Sequence, residues 1–299
     1  MTRYRPATAD DSEACFRLFE AAIDDLGRRT GTVANDTSGD PEAWSIRRPL
    51  FDHLAASAHS WWVAEDETGV LEGYARSIER ADARELTEFF VRPDVQAGGI
   101  GRELLARVFP DDGGHRSIIA TTDVRAMSRY LRAGLDARLP LAGFEAAPRA
   151  LTLETDLVRE RIVMSEATLV EVGAIDEVII GFRRDVDHRW LASQRPGWLY
   201  RRAGAAVGYA YHPTRPSWGG PAAVLEAADL PVLLADAETA AFEAGHATVT
   251  FDLPLVARAA VDHLLGRGFR IDPFVMLFFS DGPVDGLDRY VLTSPPFFL

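Results

Sequence analysis

The chain of 299 residues has one cysteine, Cys15, and no lysine. A single thiol excludes an internal disulfide framework and a thiolate metal site. Without lysine there is no Schiff-base catalysis, and all 32 basic side chains are arginine. No apolar run is long enough to cross a bilayer, and the opening residues MTRYRPATADD lack the apolar core of a signal peptide. Positive charge is in short supply. Against 32 basic groups stand 45 acidic ones, and the net −13 disfavours unaided binding to nucleic acid or to an anionic membrane. The seven histidines, at 53, 59, 115, 188, 212, 246 and 263, make no HExxH or related spacing, so no metal is expected. No GxSxG nucleophile elbow occurs. These absences point to a cytoplasmic protein with neither nucleic acid nor membrane as partner.

What is present suggests two α+β domains, expected at 1–150 and 151–299. Apolar content of 47% lets either half bury a core. The pattern predicts strands over 4–7, 60–65, 71–77, 85–91, 117–121 and 138–144. Helices are expected over 11–27, from Pro41, after Gly101, and over 123–133 with Gly134 as the stop. Residues 28–40 read as loop. Cys15, among Phe16, Leu18 and Phe19, reads as a packing residue.

Residues 86–105, LTEFFVRPDVQAGGIGRELL, organise the rest. Leu86, Phe89, Phe90 and Val91 suit a buried strand, which Pro93 ends. Gln96, Ala97, Gly98, Gly99, Ile100 and Gly101 then open a helix with Leu104, Leu105 and Val108 on one face. Bare amides at the mouth of a helix, with its dipole, suit a phosphate. A glycine-rich connection without a ligand is the competing reading. Neither a P-loop nor a GxGxxG fingerprint fits the spacing.

The order strand, Val91-x-Pro93, Gln96-x-x-Gly99-x-Gly101, helix resembles the acyl-coenzyme A signature of the GNAT superfamily of N-acyltransferases. A second match lies at Asp123, Ala126, Tyr130 and Gly134, where the family often has Asn, Ala, Tyr and Gly. The resemblance implies that Phe90, Val91 and residues 96–101 hold the pyrophosphate and the acyl end of acetyl-coenzyme A as cosubstrate. Asp123 and Ala126 would line the pantetheine arm, and Tyr130 would protonate the leaving thiolate. The implied fold is two GNAT-like domains, each a mixed, mostly antiparallel sheet flanked by helices. Asp123 in place of Asn departs from the pattern.

The second half repeats the order from Ala167: a strand at 168–172, helix over 175–191, a hairpin at 198–201 and 206–211, a strand at 222–225, helix over 230–244, a strand at 246–252, helix over 254–265 and a long strand at 268–279. The segment 145–166 reads as a crossover. Aligning Gly268 with Gly134 puts Ala260 on Ala126, Leu264 on Tyr130 and Ala257 on Asp123. Residues 225–234, LEAADLPVLL, hold no glycine, so this copy is expected to be degenerate.

An attacking amine must lose a proton. Glu88, just where the family's strand splays open, ranks first as the base, with Glu85 and water as alternatives; a carboxylate that merely faces solvent or an arginine is the competing reading. The resemblance also places an acyl-oxygen donor near the Val91 amide. Asp24, Asp25, Asp36, Asp40, Glu42, Trp44, Trp61 and Trp62 would suit a cationic amine, or would be a solvated acidic loop over a Trp-filled core. The expected activity is acetyl transfer to an amine of a small molecule or peptide, with a homodimer left open. A catalytically silent acyl-coenzyme A-binding sensor or scaffold is the alternative.

Overall fold

A computed structural model of the chain describes residues 1–31, 41–95, 98–214 and 218–293. It divides into two compact units. The first comprises Met1–Asp136 and Phe279–Asp281, the second Ala137–Phe278 and Gly282–Leu299.

Unit 1 runs β1 (Arg3–Pro6), α1 (Ser12–Thr30), α2 (Pro41–Ala56), β2 (Ala58–Glu65), β3 (Leu71–Arg80), β4 (Ala83–Val91), α3 (Ile100–Val108), β5 (His115–Thr121) and α4 (Val124–Arg132). Its strands lie in the order β1-β2-β3-β4-β5. The first four are antiparallel, and β5 runs parallel to β4. α1 ends where Gly31 takes a φ of 71°. The core under α1 and α2 is aromatic: Phe16 contacts Trp44 at 5.4 Å and Phe51 at 5.6 Å. Cys15 is fully buried there, as expected, and burial pushes its thiol pKa up, which keeps it protonated.

Unit 2 begins with β6 (Asp136–Ala146, from its second residue), then β7 (Val158–Arg161), α5 (Glu166–Ile179), α6 (Asp185–Gln194), β8 (Gly197–Arg202), β9 (Ala205–Tyr211) and β10 (Trp218–Gly219). β11 (Ala222–Val224), α7 (Leu230–Glu243), β12 (Val249–Pro254), α8 (Arg258–Gly266), β13 (Arg270–Ile271), β14 (Met276–Ser280) and β15 (Tyr290–Val291) follow. The last two residues of β14 belong to unit 1. One antiparallel sheet has the order β15-β11-β9-β8-β7. β12 lies antiparallel to β6 and parallel to β10. Each unit is therefore a mixed, mostly antiparallel α+β structure.

The expected strand at 168–172 is wrong. That segment is the start of α5: Ser165 accepts the Thr168 amide at 3.2 Å and caps the helix. Leu169, Val172, Ile175 and Ile179 are buried along one face, so packing overrides the strand preference of a β-branched run. The strand that the repeat requires is β7, inside the segment read as a crossover. All four β7 residues are exposed, so it shows no alternation. The long helix over 175–191 is two helices, parted where Gly181 adopts a φ of 90°. The long strand at 268–279 is the two short strands β13 and β14.

Candidate acyl-coenzyme A site

β4 and β5 pair only through Ala83–His115, Arg84–Arg116 and Glu85–Ser117. Beyond Ser117 they part, and the opening is a cleft. Its walls include Leu86, Thr87 and Phe89 of β4, residues 118–121 of β5, and Ala126 and Tyr130 of α4. A bulge helps to part the strands. Arg76 faces Glu88 and Ser77 faces Leu86, so Thr87 is the extra residue, with its hydroxyl donating to the Arg76 carbonyl at 3.1 Å. Such a bulge bends and twists its strand.

The glycine loop sits at one end of the cleft. Gly99 is the N-cap of α3 with a φ of 87°, in the left-handed region where glycine carries no steric cost. No side chain caps this helix. A Cβ on Gly101 would come within 3.0 Å of the Phe89 ring and 3.4 Å of the Arg129 guanidinium, so only glycine lets both approach. Gly98 is exposed and Ile100 is buried. Gln96 and Ala97 lie outside the described residues.

Asp123 and Ala126 line the cleft, with Val91 and Phe90 at its β4 side. Asp123 caps α4 through the Arg125 amide at 3.0 Å and receives Arg29 from α1, also at 3.0 Å. Burial alone would raise its carboxyl pKa, but the Arg125 amide, Arg125 and Arg29 outweigh it, and the pKa is lowered. Three guanidiniums, of Arg29, Arg125 and Arg129, thus line one cleft. Sequence reading missed them. Arg125 and Arg129 are four apart on α4, a readable helix-face signal. The Arg29–Asp123 contact spans 94 positions and left no local trace.

Tyr130 is 4% exposed and the one buried residue of α4. Burial pushes its phenol pKa up, Asp123 adds to this and Arg129 opposes it, so the hydroxyl stays protonated at neutral pH. Its ring lies 6.2 Å from Phe89 and 5.5 Å from Phe279.

Glu88 is not on the cleft wall. It is buried, with Oε1 accepting from Tyr74 at 3.1 Å and Oε2 from the Arg76 guanidinium. Arg76 is itself enclosed, 4.3 Å from the Trp61 ring and 5.3 Å from that of Phe51. Glu85 is buried where β4 and β5 are still paired. Trp44 and Trp61 belong to the core, Asp24 is buried on α1, and Asp25 pairs with Arg29 at 2.8 Å. Asp36 and Asp40 lie outside the described residues. Among those residues, no group of at least three His, Cys, Asp or Glu side chains could hold a metal ion, and no helix is long and apolar enough to cross a membrane.

The model of the acetyltransferase (GNAT) domain matches residues 57–134. No curated protein sequence matches the chain. Among solved structures, a protein from Pyrococcus horikoshii proposed to be an acetyltransferase aligns over 97% of this chain and 92% of its own, at 15% identity and a TM-score of 0.72. A GCN5-related N-acetyltransferase from Sphaerobacter thermophilus covers 96% and 98%, at 15% identity and 0.61. A tandem GNAT protein of the clavulanic acid biosynthesis pathway covers 95% and 100%, at 16% identity and 0.57. Such identities carry the fold rather than the reaction. The chain has the fold of a tandem GNAT protein, and residues 57–134 match the acetyltransferase (GNAT) domain model.

Proposed function

We propose that the chain is an acetyl-coenzyme A-dependent N-acetyltransferase with one working site, in unit 1. The observation that carries this reading is Tyr130, a largely buried side chain that lines the cleft between β4 and β5. The residues present fit the cosubstrate. The α3 amides from Gly99 on and the guanidiniums of Arg29, Arg125 and Arg129 suit its phosphates. Phe90, Val91, Asp123 and Ala126 would flank the pantetheine arm and the acyl group.

Acetyl-coenzyme A supplies the activated acyl group as a thioester. The neutral amine of a small molecule or peptide attacks the thioester carbon, a C–N bond forms and the C–S bond breaks. Tyr130 gives its proton to the departing sulfur. The proton leaving the amine goes to a base, and water is favoured. Glu88 spends both oxygens on Tyr74 and Arg76, and Glu85 lies where the strands are paired. A cytoplasmic setting suits the cosubstrate.

The second reading, an acyl-coenzyme A sensor without turnover, is not favoured by the match to an acetyltransferase domain. One experiment separates them: thiol release from acetyl-coenzyme A across a panel of amines. Turnover that falls ~10- to 100-fold in Tyr130→Phe, with acetyl-coenzyme A affinity kept, supports the transferase. Binding without thiol release from any amine would make the chain a sensor. Turnover unchanged in Tyr130→Phe, with chemistry rate-limiting, would make Tyr130 a packing residue.

A further inference from the structure

Unit 1 is not built from the first half of the sequence alone, because it includes Phe279–Asp281. Both ends of this short segment reach toward α4. Phe279 is fully buried with its ring 5.5 Å from that of Tyr130. Asp281 is clamped to Arg116. The Arg116 amide and Nε each donate to its carboxylate at 2.9 Å, and the Asp281 amide donates to the Arg116 carbonyl at 3.1 Å. The same guanidinium, 4% exposed, donates through Nη2 to the carbonyl of Ala133 at 3.0 Å. Ala133 is the residue that ends α4.

α4 needs such support. It has nine residues, a length at which an isolated helix is marginal, and Tyr130 is its one buried side chain. Its orientation must come from what touches it. The general acid must lie within hydrogen-bond reach of the sulfur, and a displacement of ~1 Å can cost ~100-fold in rate.

We infer that Phe279 and Asp281 are positioning residues for the Tyr130 hydroxyl, Phe279 by packing on the ring and Asp281 by holding Arg116 against the end of α4. The working unit is completed by residues from the far end of the chain. As a statement about catalysis this rests on Tyr130 being the acid; as a statement about geometry it does not.

The test uses the full chain labelled with 3-fluorotyrosine. The Tyr130 line is identified by its disappearance in Tyr130→Phe. Phe279→Leu should move that line and leave the other tyrosines in place, and should lower kcat ~10-fold with KM for acetyl-coenzyme A unchanged. Asp281→Ala should do the same to a smaller extent. Phe278→Leu, a neighbouring buried ring on the same strand, should do neither, which separates positioning from loss of packing. Where Phe279→Leu does not fold, Phe279→Met fills the site without a ring. A Tyr130 line unmoved in the Phe279 variant, or a kcat no lower than in Phe278→Leu, overturns the role of Phe279. An unmoved line in Asp281→Ala overturns that of Asp281. If the parent turns over no amine, the proposed reaction falls, and the fluorine spectrum still decides the positioning.

Discussion

In unit 1, β4 and β5 pair briefly and then part, and the gap between them is the cleft. In unit 2 the corresponding strands are β11 and β12, and β15 stands between them. Tyr290 and Val291 pair with Ala223 and Ala222 of β11, and the Leu292 amide donates to Asp252 of β12 at 2.9 Å. The chain fills its own gap. The helix mouths differ in the same sense. α3 opens on Gly99, whereas α7 opens on Asp229, a buried carboxylate held by Arg202 at 2.8 and 3.0 Å. An arginine-paired carboxylate occupies the N-cap position that is glycine in unit 1. In the next helix Ala257 takes the N-cap that Asp123 holds in unit 1, and Leu264, fully buried, stands for Tyr130. One order of elements thus supports a cleft where strand pairing stops early, and a closed core where another segment completes it.

Unit 2 also carries a buried polar network. Asp176 accepts from Arg184 at 2.8 Å and Tyr209 at 2.5 Å, with His188 Nε2 at 2.7 Å, and all four are fully buried. Burial would push the Asp176 carboxyl up, but Arg184 and His188 hold it down at about 2. Removing one partner of such a set strands the others. Asp176→Ala should therefore cost ~3–5 kcal/mol of stability, read by chemical unfolding. A cost below ~1 kcal/mol would mean that the network is not what holds unit 2 together.

The contrast between the helix mouths is tested by Gly98→Asp. Gly99 has a left-handed φ and Gly101 lies against Phe89, so side chains there would strain the backbone or the packing. Gly98 has neither constraint, and a carboxylate there acts through its charge. Acetyl-coenzyme A affinity should fall ~100-fold by calorimetry, with unfolding unchanged. The parent should show one site per chain. Two sites would break the comparison, since they would require the filled gap of unit 2 to open.

Acid should weaken unit 2 through a second group. His212 is 2% exposed, and burial with Arg159 and Arg161 nearby pushes its pKa down to about 3. The native imidazole stays neutral where the unfolded one, near 6.5, takes a proton. Between those values the unfolded state binds more protons, so stability falls as pH falls, by about 2 kcal/mol from pH 7 to pH 5. His212→Leu should flatten that slope. An unchanged slope would assign the acid sensitivity elsewhere.

The order of elements in unit 1 was legible because the glycine-rich loop and the Asp123–Gly134 spacing carry a family resemblance that implies the order, although its central strands β3 and β4 show no clean alternation. In unit 2 one element was misplaced, because the exposed β7 has no apolar alternation and α5 is rich in β-branched residues. A second copy of the repeat was there to be read: Gly73-Tyr74-Ala75-Arg76 on β3 and Gly208-Tyr209-Ala210-Tyr211 on β9. A Cβ on Gly73 would lie 3.0 Å from the Phe90 carbonyl, and one on Gly208 would lie 2.9 Å from that of Ala223. Both glycines let the adjacent strand come close. The parts of the site that were not legible are contacts across long separations, Arg29 with Asp123 and Phe279 with Tyr130. No local pattern announces which distant residue will fill a gap.

The smallest expected effect concerns the position where unit 1 departs from the family pattern. Asp123→Asn keeps the cap, since either side chain can accept the Arg125 amide. It removes a negative charge from the wall of the cleft proposed to admit an anionic cosubstrate. The lost attraction to Arg29 and Arg125 is between partly exposed groups and should cost less than ~1 kcal/mol of stability. Acetyl-coenzyme A affinity should therefore rise ~3-fold at low salt, and the gain should shrink as salt screens the charge. Asp123→Ala removes the charge and the cap together, which copies Ala257 of unit 2. It should bind at least as tightly as Asp123→Asn while melting earlier. If both variants instead bind more weakly than the parent, the Asp123 carboxylate is itself a ligand for the pantetheine arm. Its pairing with Arg29 would then be a resting arrangement that the cosubstrate displaces.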